Sequence, residues 1–426
     1  MSPLTTPAII VFSLAFLLRA GWSLFFGVDP SHNPVLDDML WYHTTAVGLS
    51  QGSGYIHPFS GQPTAAWPPG YPAILAAIYS VFGIKVGFAH LANALLGTAS
   101  CVLVWRLTAA TFTERTGLIA AALLAFLPSH IFFCGLLLTE TAFTTGFVAV
   151  LALACALLRR DVGASNLQWF LWGIVVGALT LVRAESVLIV AAVFLALLAS
   201  RARLRAVATT TGTTAIAIAI GVSIALAPWV YRNALVFDAF VPTSTAMGRT
   251  ALIGHHALAD GSMTSTWSDL LKDNTPLSTP AEELASDKAK RAQALEFAIN
   301  NPGAELGLIG KRLYWLFRGD HMWISWYDAQ ETRLALSTTT KKWLGRLSNG
   351  YYLAVAVAAL IGFLTSLRLG RADLRLVQAT VVVWPLFFAT LFYGAARFHF
   401  ALMPVFCIFA AHAISALPFF NDSPRH

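Results

Sequence analysis

The residues with the clearest chemical potential are two adjacent carboxylates, Asp37 and Asp38, which follow the first long apolar run of the chain. Behind them, apolar residues recur at helical spacing: Met39, Tyr42, Ala46 and Leu49. This spacing predicts an amphipathic helix over residues 38–50, with Asp37 near its N-cap. The dipole and free N–H groups of a helix start stabilise carboxylates, which can accept a hydrogen bond or a proton. Helix capping would explain one aspartate, whereas two adjacent aspartates favour a catalytic role.

A third carboxylate, Glu140, lies in the segment Leu138-Thr139-Glu140-Thr141, at the predicted corner between two apolar runs. Ionisable residues at the edge of a membrane span are candidates for function. The alternative is a carboxylate that only complements the dipole of a helix N-terminus. If all three acids act together, Asp37, Asp38 and Glu140 form an acidic cluster on one face of the protein.

Three arginines are predicted to lie on the same side as the acids. Arg232 follows the seventh apolar run, Arg249 lies in the loop after it, and Arg397 begins the last run beside His399. The planar guanidinium group of arginine suits a phosphate, which it can bind through two parallel hydrogen bonds. Each of these residues could instead be an interfacial arginine whose charge extends to the membrane surface.

The elements that position these side chains are membrane helices. The 426 residues are 57% apolar and 12% charged, with a mean hydropathy of +0.66, so the chain is predicted to be an all-α polytopic membrane protein. About ten spans are expected, near residues 7–27, 87–108, 116–133, 138–158, 167–182, 185–200, 206–230, 350–367, 376–394 and 399–418. Residues 70–84 form an apolar segment too short to cross, which predicts an interfacial or half-inserted helix.

Arginines in the short loops predict the orientation. They fall on one side of the alternating spans: Arg106, Arg115, Arg159, Arg160, Arg201, Arg203, Arg205, Arg368, Arg371 and Arg375. By the positive-inside rule this side is cytoplasmic, so both termini are inside and the loops 28–86 and 231–349 are outside. The net charge of +7 is largely explained by these turns, which argues against a nucleic-acid partner. The size and the lack of an N-terminal targeting segment predict a bacterial inner membrane.

Three regions follow from this topology. Residues 1–230 form a transmembrane core that includes the outer loop 28–86, residues 231–349 form a large extracytoplasmic loop, and residues 350–426 add the last transmembrane helices. Within the large loop, a surface helix is predicted over Pro280 to Asn300, with Glu282 and Glu283 in its first turn. The four cysteines lie in or beside apolar runs without metal-like spacing, which predicts buried thiols.

Several of these motifs carry a resemblance. The chain is similar to the GT-C membrane glycosyltransferases of the protein O-mannosyltransferase and aminoarabinose transferase group. The similar motifs are the Asp38 helix with Tyr42 and Ala46, Gly52 and Gly54, Pro63-Thr64-Ala65, Pro68-Pro69-Gly70-Tyr71-Pro72, Leu137-Leu138-Thr139-Glu140, Ala227-Pro228-Trp229-Val230-Tyr231-Arg232-Asn233, and Val241-Pro242-Thr243-Ser244 through Gly254. The chain departs from the common Asp-Glu pair, because Met39 follows Asp38 where the glutamate would stand, and His255 and His256 replace frequent asparagines.

The resemblance implies a GT-C-like helical bundle with amphipathic juxtamembrane helices and an inverting sugar transfer on the outer, periplasmic face. The donor would be a polyprenyl-phosphate sugar, and the acceptor a hydroxyl of a lipid, glycan or protein. Asp38 would be the general base with Asp37 and Glu140 as partners, and Arg232, Arg249 and Arg397 would bind the donor phosphate. Residues expected to bind substrate are Tyr42, His43, Trp67, Tyr71, His255 and His256.

Some alternatives stay open at the level of sequence. No soluble cofactor is required, but a carboxylate cluster could bind a divalent metal through oxygen ligands. A lipid-linked glycan polymerase or ligase would share the topology and the donor. A lipid or sugar transporter or flippase would also be polytopic, although transporters place ionisable residues near the bilayer midplane rather than at span edges.

Overall fold

The computed structural model describes residues 5–32, 37–160, 163–199, 204–263, 279–328 and 336–417. Apart from isolated bridge residues, such as the pair Ile56 and Pro63, these residues form helices, turns and loops. The helices of the first half are α1 (Thr6–Phe26), α2 (Asp38–Ser50), α3 (Gly70–Phe82), α4 (Val86–Thr111), α5 (Glu114–Ala125), α6 (Pro128–Phe132), α7 (Thr139–Leu158), α8 (Asn166–Thr180), α9 (Leu188–Ala199) and α10 (Leu204–Phe237).

The second half continues with α11 (Met247–Gly254), α12 (Pro280–Asn300), α13 (Pro302–Phe317), α14 (Trp323–Asp328), α15 (Thr338–Ser366), α16 (Ala372–Leu391), α17 (Ala396–His399) and α18 (Met403–Ser415). Helices α1, α5 and α7 pack around α4, α8 packs along α10, α9 along α16, and α18 lies between α5 and α15. The amphipathic helix α2 rests on α3, and α12 covers α11.

The prediction of an all-α polytopic membrane protein is confirmed, but the number of spans is lower than ten. In the described ranges, seven helices are long and apolar enough to cross a membrane: Thr6–Phe26, Val86–Thr111, Thr139–Leu158, Gly212–Phe237, Thr338–Ser366, Ala372–Leu391 and Ala396–Ser415. The segments predicted as spans at 167–182 and 185–200 are, where the structure describes them, the shorter apolar helices Asn166–Thr180 and Ala184–Ala199. At 1.5 Å per residue, 15 and 16 residues reach roughly 22 and 24 Å, less than the ~30 Å hydrocarbon core.

One further apolar segment is interrupted by a bend. α5 and the segment Pro128–Gly135 together are long enough to cross but bend by 63° at their junction. Pro128 cannot donate a backbone hydrogen bond and disfavours helix at the residue before it, so α5 ends at Ala125. The fully buried Arg19 of α1 donates to the carbonyls of Leu124 and Ala125, both at 2.9 Å. It thereby satisfies two of the carbonyls that a helix end leaves without an internal partner.

The arginine-rich end of the bundle is held by ion pairs between helices. Arg159, after α7, binds Asp373 at 3.1 Å, and Arg371 binds the same carboxylate at 2.9 Å. Arg371 also donates to the carbonyl of Thr111 at the end of α4. Since Glu140 opens the other end of α7, this group and Glu140 lie roughly 28 Å apart along the helix axis.

The predicted orientation can be tested with two exposed positions at opposite ends of the bundle. We expect Gln62→Cys to react with a membrane-impermeant maleimide added outside intact cells, and Gly370→Cys to react only after permeabilisation. The four native cysteines are buried and serve as an internal background. Labelling of Gly370→Cys from outside, with Gln62→Cys protected, would reverse the orientation.

Candidate active site

The two aspartates at the start of α2 have different partners. Asp37 is the N-cap residue, and its Oδ1 accepts a hydrogen bond from the Leu40 N–H at 2.9 Å. Asp38 is the first helical residue, and its Oδ2 lies 3.0 Å from Nη1 of Arg397. The structure therefore gives Asp37 the capping geometry and leaves Asp38 bound to a cation from the far end of the chain.

Glu140 shares that cation. It lies in the first turn of α7, where the helix dipole favours a negative charge, and its side chain is 1% exposed. Oε1 of Glu140 accepts from Nε of Arg397 at 2.8 Å and from Nη1 of Arg183 at 3.3 Å. Three segments far apart in the chain, the starts of α2, α7 and α17, thus meet at the guanidinium group of Arg397.

Arg183 is a site residue that the sequence reasoning missed. It lies in the turn between α8 and α9, and its Nε binds Oε1 of Glu185 at 2.5 Å. Burial by itself lowers the pKa of Arg183, but the carboxylates of Glu185 and Glu140 outweigh this and raise it. The side chain also lies over the ring of Phe143 at 5.4 Å. The one signal in the sequence was an arginine and a glutamate placed together in a break between apolar runs.

Tyrosines surround the ion pairs. Tyr42 lies one helical turn after Asp38, and its ring packs edge-on against Tyr71 at 5.2 Å. Burial raises the pKa of Tyr42, and the charge of Asp38 adds to that shift. Tyr393, which the sequence reasoning also missed, is buried in the loop before α17. Burial raises its pKa too, while the charges of Arg397 and Arg249 oppose the shift.

Arg249 approaches this group from α11. Its guanidinium carbon lies 5.0 Å from the centre of the Trp67 ring, a cation–π distance. The Trp67 ring in turn lies 6.4 Å from the ring of Tyr42. The charges of Arg249, Arg397, Arg183 and Asp38 all shift the pKa of Tyr393, so Arg249 lies within electrostatic range of the same side chain as the ion pairs. The structure thus brings together Asp38, Glu140, Arg249 and Arg397 of the predicted residues, with Tyr42, Tyr71 and Trp67 beside them.

Arg232 lies outside this cluster. Its Nη1 donates to the carbonyl of Thr64 at 2.7 Å, and its Nη2 donates to the carbonyl of Tyr55 at 2.8 Å. Glu283 of α12 anchors the same loop, because it accepts from the Thr64 hydroxyl at 2.6 Å, from the Ala65 N–H at 3.0 Å and from the Thr245 hydroxyl. Both residues position the loop that presents Trp67 to Arg249.

The predicted histidines are also outside the cluster. Nδ1 of His255 lies 3.0 Å from Oε1 of Glu305, in a network with the fully buried Arg312. Nδ1 of His256 accepts from the Leu258 N–H at 3.1 Å, and burial lowers the pKa of His256. His43 is hydrogen-bonded to the Tyr79 hydroxyl at 2.8 Å, away from Asp38.

Arg312 holds together two of the elements that carry the cluster. Its Nη2 donates to the carbonyl of Gly254 at 2.8 Å, and its Nη1 donates to the carbonyl of Ala389 at 3.0 Å. These carbonyls are at or near the C-terminal ends of α11 and α16. One buried guanidinium therefore ties the helix that carries Arg249 to the segment that leads into Tyr393 and Arg397.

The donor set of the cluster does not fit a divalent cation. Within the described part of the chain, no group of three His, Cys, Asp or Glu side chains is placed to hold a metal ion. Asp38 and Glu140 are joined by an arginine, and hard divalent ions need several oxygen ligands at once. The positive charges available beside these carboxylates are guanidinium groups.

Comparison with known proteins agrees with this architecture. Residues 66–231 match a family model described as dolichyl-phosphate-mannose-protein mannosyltransferase, whereas no curated protein matches the chain. The oligosaccharyltransferase AglB of Archaeoglobus fulgidus, solved with an inhibitory peptide and a dolichol-phosphate, is 16% identical with a TM-score of 0.56. The match covers 96% of this chain and 50% of AglB. The chain shares the fold of this oligosaccharyltransferase.

Two further structures are similar to this chain. An Archaeoglobus fulgidus oligosaccharyltransferase in complex with Zn and sulfate is 16% identical with a TM-score of 0.55, over 96% of this chain and 49% of that one. ArnT from Cupriavidus metallidurans, bound to undecaprenyl phosphate, is 13% identical with a TM-score of 0.49, over 96% and 60%. The chain spans about half the length of the oligosaccharyltransferases. The resemblance inferred from its sequence motifs is confirmed.

The buried charges around Glu140 predict a stability effect. We expect Glu140→Gln to destabilise the fold by about 3–5 kcal/mol, because it leaves the buried guanidinium groups of Arg183 and Arg397 without their shared carboxylate. The change is measured as a lower thermal midpoint in detergent. The control Glu296→Gln, at an exposed position of α12, should leave the midpoint within error of wild type. Equal midpoints for both variants would contradict a structural charge network.

Proposed function

We propose that the chain is an inverting glycosyltransferase that moves a sugar from a polyprenyl-phosphate donor to an acceptor hydroxyl. One observation carries the proposal: Asp38 and Glu140, more than a hundred residues apart, both bind Arg397 at one end of the bundle. Arg183 binds Glu140, and Arg249 lies over Trp67, whose ring neighbours that of Tyr42. A base beside several guanidinium groups suits a reaction that removes a proton and releases a phosphate.

Asp38 is the carboxylate we assign as the base. Its side chain is 19% exposed, whereas that of Glu140 is 1% exposed, so Asp38 can meet an acceptor and Glu140 cannot. The Asp38 carboxylate accepts the proton of the acceptor hydroxyl while that oxygen bonds to the anomeric carbon. The bond from the anomeric carbon to the phosphate oxygen breaks on the opposite face, which inverts the configuration and releases polyprenyl phosphate. Glu140 then serves to position Arg397.

The donor phosphate is assigned to Arg249 and Arg397. Asp38, Glu140 and Glu185 supply three negative charges, and Arg183, Arg249 and Arg397 supply three positive ones. An incoming phosphate competes with Asp38 for Arg397, and each Arg397–phosphate bond gained releases the Asp38 oxygen for the acceptor. Binding of the donor is thereby coupled to the availability of the base. Arg232 has no part in this step, because its nitrogens hold backbone carbonyls.

The comparisons support the class of donor. The matched family is described by a dolichyl-phosphate sugar, and the AglB structure of the same fold contains a dolichol-phosphate. A polyprenyl chain buried against the apolar surface of the spans contributes binding through the hydrophobic effect. We further propose that the site faces the periplasmic side of a bacterial inner membrane, with a lipid, glycan or protein hydroxyl as acceptor.

The base assignment predicts that the two aspartates differ in their effect on sugar transfer. Asp38→Asn should lower transfer at least 10²-fold, because the amide cannot accept the proton. Asp37→Asn keeps a capping side chain and should stay within tenfold of wild type. Transfer is read by mass spectrometry of envelope glycans and lipids from cells that carry each variant, compared with cells lacking the chain. The reverse order would assign the base to Asp37, and unchanged transfer in Asp38→Asn would remove it from the mechanism.

The phosphate assignment predicts that only some of the basic residues affect binding of the lipid donor. Arg249→Ala and Arg397→Ala should each weaken binding of polyprenyl phosphate at least tenfold, measured by native mass spectrometry of the purified chain. Lys341→Ala is the control, because Lys341 pairs with Asp328 outside the cluster. Arg232→Ala should lower thermal stability without a selective loss of the lipid. Equal lipid binding in all four variants would contradict a phosphate site at Arg249 and Arg397.

A further inference from the structure

A second group of buried polar side chains includes His399, which follows Arg397 by two residues. Asp320, in the turn between α13 and α14, is 4% exposed, and Ser129 and His399 are fully buried. The Ser129 hydroxyl donates to Oδ2 of Asp320 at 2.5 Å, and Nε2 of His399 lies 3.4 Å from Oδ1. Ser129 belongs to α6 and His399 to α17. Asp320 therefore joins the large loop 231–349 to both of these helices.

The two nitrogens of the His399 ring have different partners. Nδ1 lies 2.5 Å from the carbonyl oxygen of Leu316, and a carbonyl oxygen only accepts, so Nδ1 carries a hydrogen. In a neutral ring Nε2 is then an acceptor, and it would face an ionised carboxylate, which also only accepts. A buried contact of this kind requires a proton between the two groups, either on Nε2 or on Asp320. One shared proton therefore holds the pair together.

The turn before α14 and the start of α15 fix both members of the pair. The ring of Tyr352, from α15, stacks on the His399 ring with centroids 4.9 Å apart, and the ring of Phe317 stacks on it at 6.1 Å. The Tyr352 hydroxyl donates to the carbonyl of Phe317 at 3.0 Å. One turn earlier in α15, Oδ1 of Asn349 accepts from the N–H of Asp320 at 2.8 Å. Backbone and rings thus leave the pair a single arrangement.

His399 in turn holds the segment that carries Arg397. Helix α17 is a single turn of four residues, and so short a helix has little stability of its own, so tertiary contacts must fix its side chains. Between the two residues, Phe398 accepts a hydrogen bond at its carbonyl from Trp384 at 2.7 Å, and its ring lies 5.9 Å from the guanidinium carbon of Arg183. A displacement of His399 would therefore move the Arg397 guanidinium group relative to its carboxylates.

We propose that Asp320 and His399 are positioning residues that hold Arg397 where it meets the donor phosphate. They act through the backbone of α17, whereas Glu140 binds the guanidinium group directly. The phosphate-binding role of Arg397 is that of the proposed function, on which this inference rests in that one respect. The large loop thereby sets the geometry of the site, because Asp320 belongs to the loop and His399 to the helix of Arg397.

The first test measures binding of undecaprenyl phosphate to the purified full chain in detergent, below the thermal midpoints of all variants. Asp320→Ala removes the partner of Ser129 and His399 and should weaken binding by roughly tenfold or more. Asp320→Asn should stay within roughly threefold of wild type, because the amide oxygen accepts from Ser129 and the amide nitrogen donates to Nε2 of a neutral ring. Wild-type binding in Asp320→Ala, or an equal loss in both variants, would overturn the proposal.

Asp373 provides a matched control. Its carboxylate is also buried and binds Arg159 and Arg371, at the arginine-rich end of the bundle. Asp373→Ala should lower the thermal midpoint but leave binding of undecaprenyl phosphate within roughly threefold of wild type, because distant sites act independently. A loss of binding in Asp373→Ala equal to that in Asp320→Ala would be a general effect of lower stability and would refute the role of Asp320.

A double-mutant cycle tests the positioning without a lipid. If Asp320 positions Arg397, the contact of Arg397 with Glu140 is already weakened in Asp320→Ala. Glu140→Gln should then lower the thermal midpoint by roughly half as much as it does in the wild type, or less. In the Asp373→Ala background, Glu140→Gln should have its full effect. Additive effects of Asp320→Ala and Glu140→Gln would contradict the positioning.

Arg397→Ala separates this inference from the proposed function. If Arg397→Ala binds undecaprenyl phosphate like the wild type, the phosphate assignment fails, and the cycle alone decides the positioning. If Arg397→Ala loses the lipid while the cycle is additive, the phosphate assignment holds and the positioning fails. If Asp320→Ala yields no folded protein, Ser129→Ala replaces it in both measurements, because it removes a donor to Asp320 and should change binding and coupling in the same direction.

Discussion

The site depends on one buried guanidinium group that is shared by two carboxylates. Arg397 fixes the start of α17 against the starts of α2 and α7, and the fully buried Glu140 can keep its charge because Arg397 and Arg183 both bind it. A charge removed from water is tolerated when its partners are close and correctly oriented, and is very costly when one of them is missing. The geometry of the acidic helix, the turn at Arg183 and the loop at Tyr393 follows from this requirement.

Buried arginines have two distinct uses in this fold. Arg19, Arg232 and Arg312 donate to backbone carbonyls, near the break after α5, in the loop at Tyr55 and Thr64, and near the ends of α11 and α16. In an apolar surrounding, such carbonyls need a partner within the protein. Arg183 and Arg397 bind carboxylates instead, and these are the arginines of the candidate active site. Arg312 also binds Glu305, and Arg159 and Arg371 bind Asp373, so a carboxylate partner alone does not mark a site arginine. The feature that sets Arg183 and Arg397 apart is their shared carboxylate, Glu140.

Helix α2 joins the ion pairs to the surrounding fold. Asp38 and Tyr42 lie towards the ion pairs, and His43, the next residue, is hydrogen-bonded to Tyr79 of α3. The loop behind the helix is held by Arg232 and Glu283, which keeps Trp67 beside Arg249. A short amphipathic helix, anchored at several points, therefore presents Asp38 to Arg397.

The local sequence pattern determined the class of this protein and the bounds of several of its helices. The amphipathic spacing after Asp38 predicted α2 with its observed bounds, the surface helix Pro280–Asn300 was predicted likewise, and long apolar runs predicted the polytopic class. These features depend on residues close in the chain, where periodicity and capping act. Tertiary structure alone decided which charges meet: it joined Arg397 to Asp38 across 359 positions, added Arg183 and Tyr393, and placed Arg232 on carbonyls. An arginine at the end of a span has the same local pattern in either role, because its partner is chosen by the packing of distant helices.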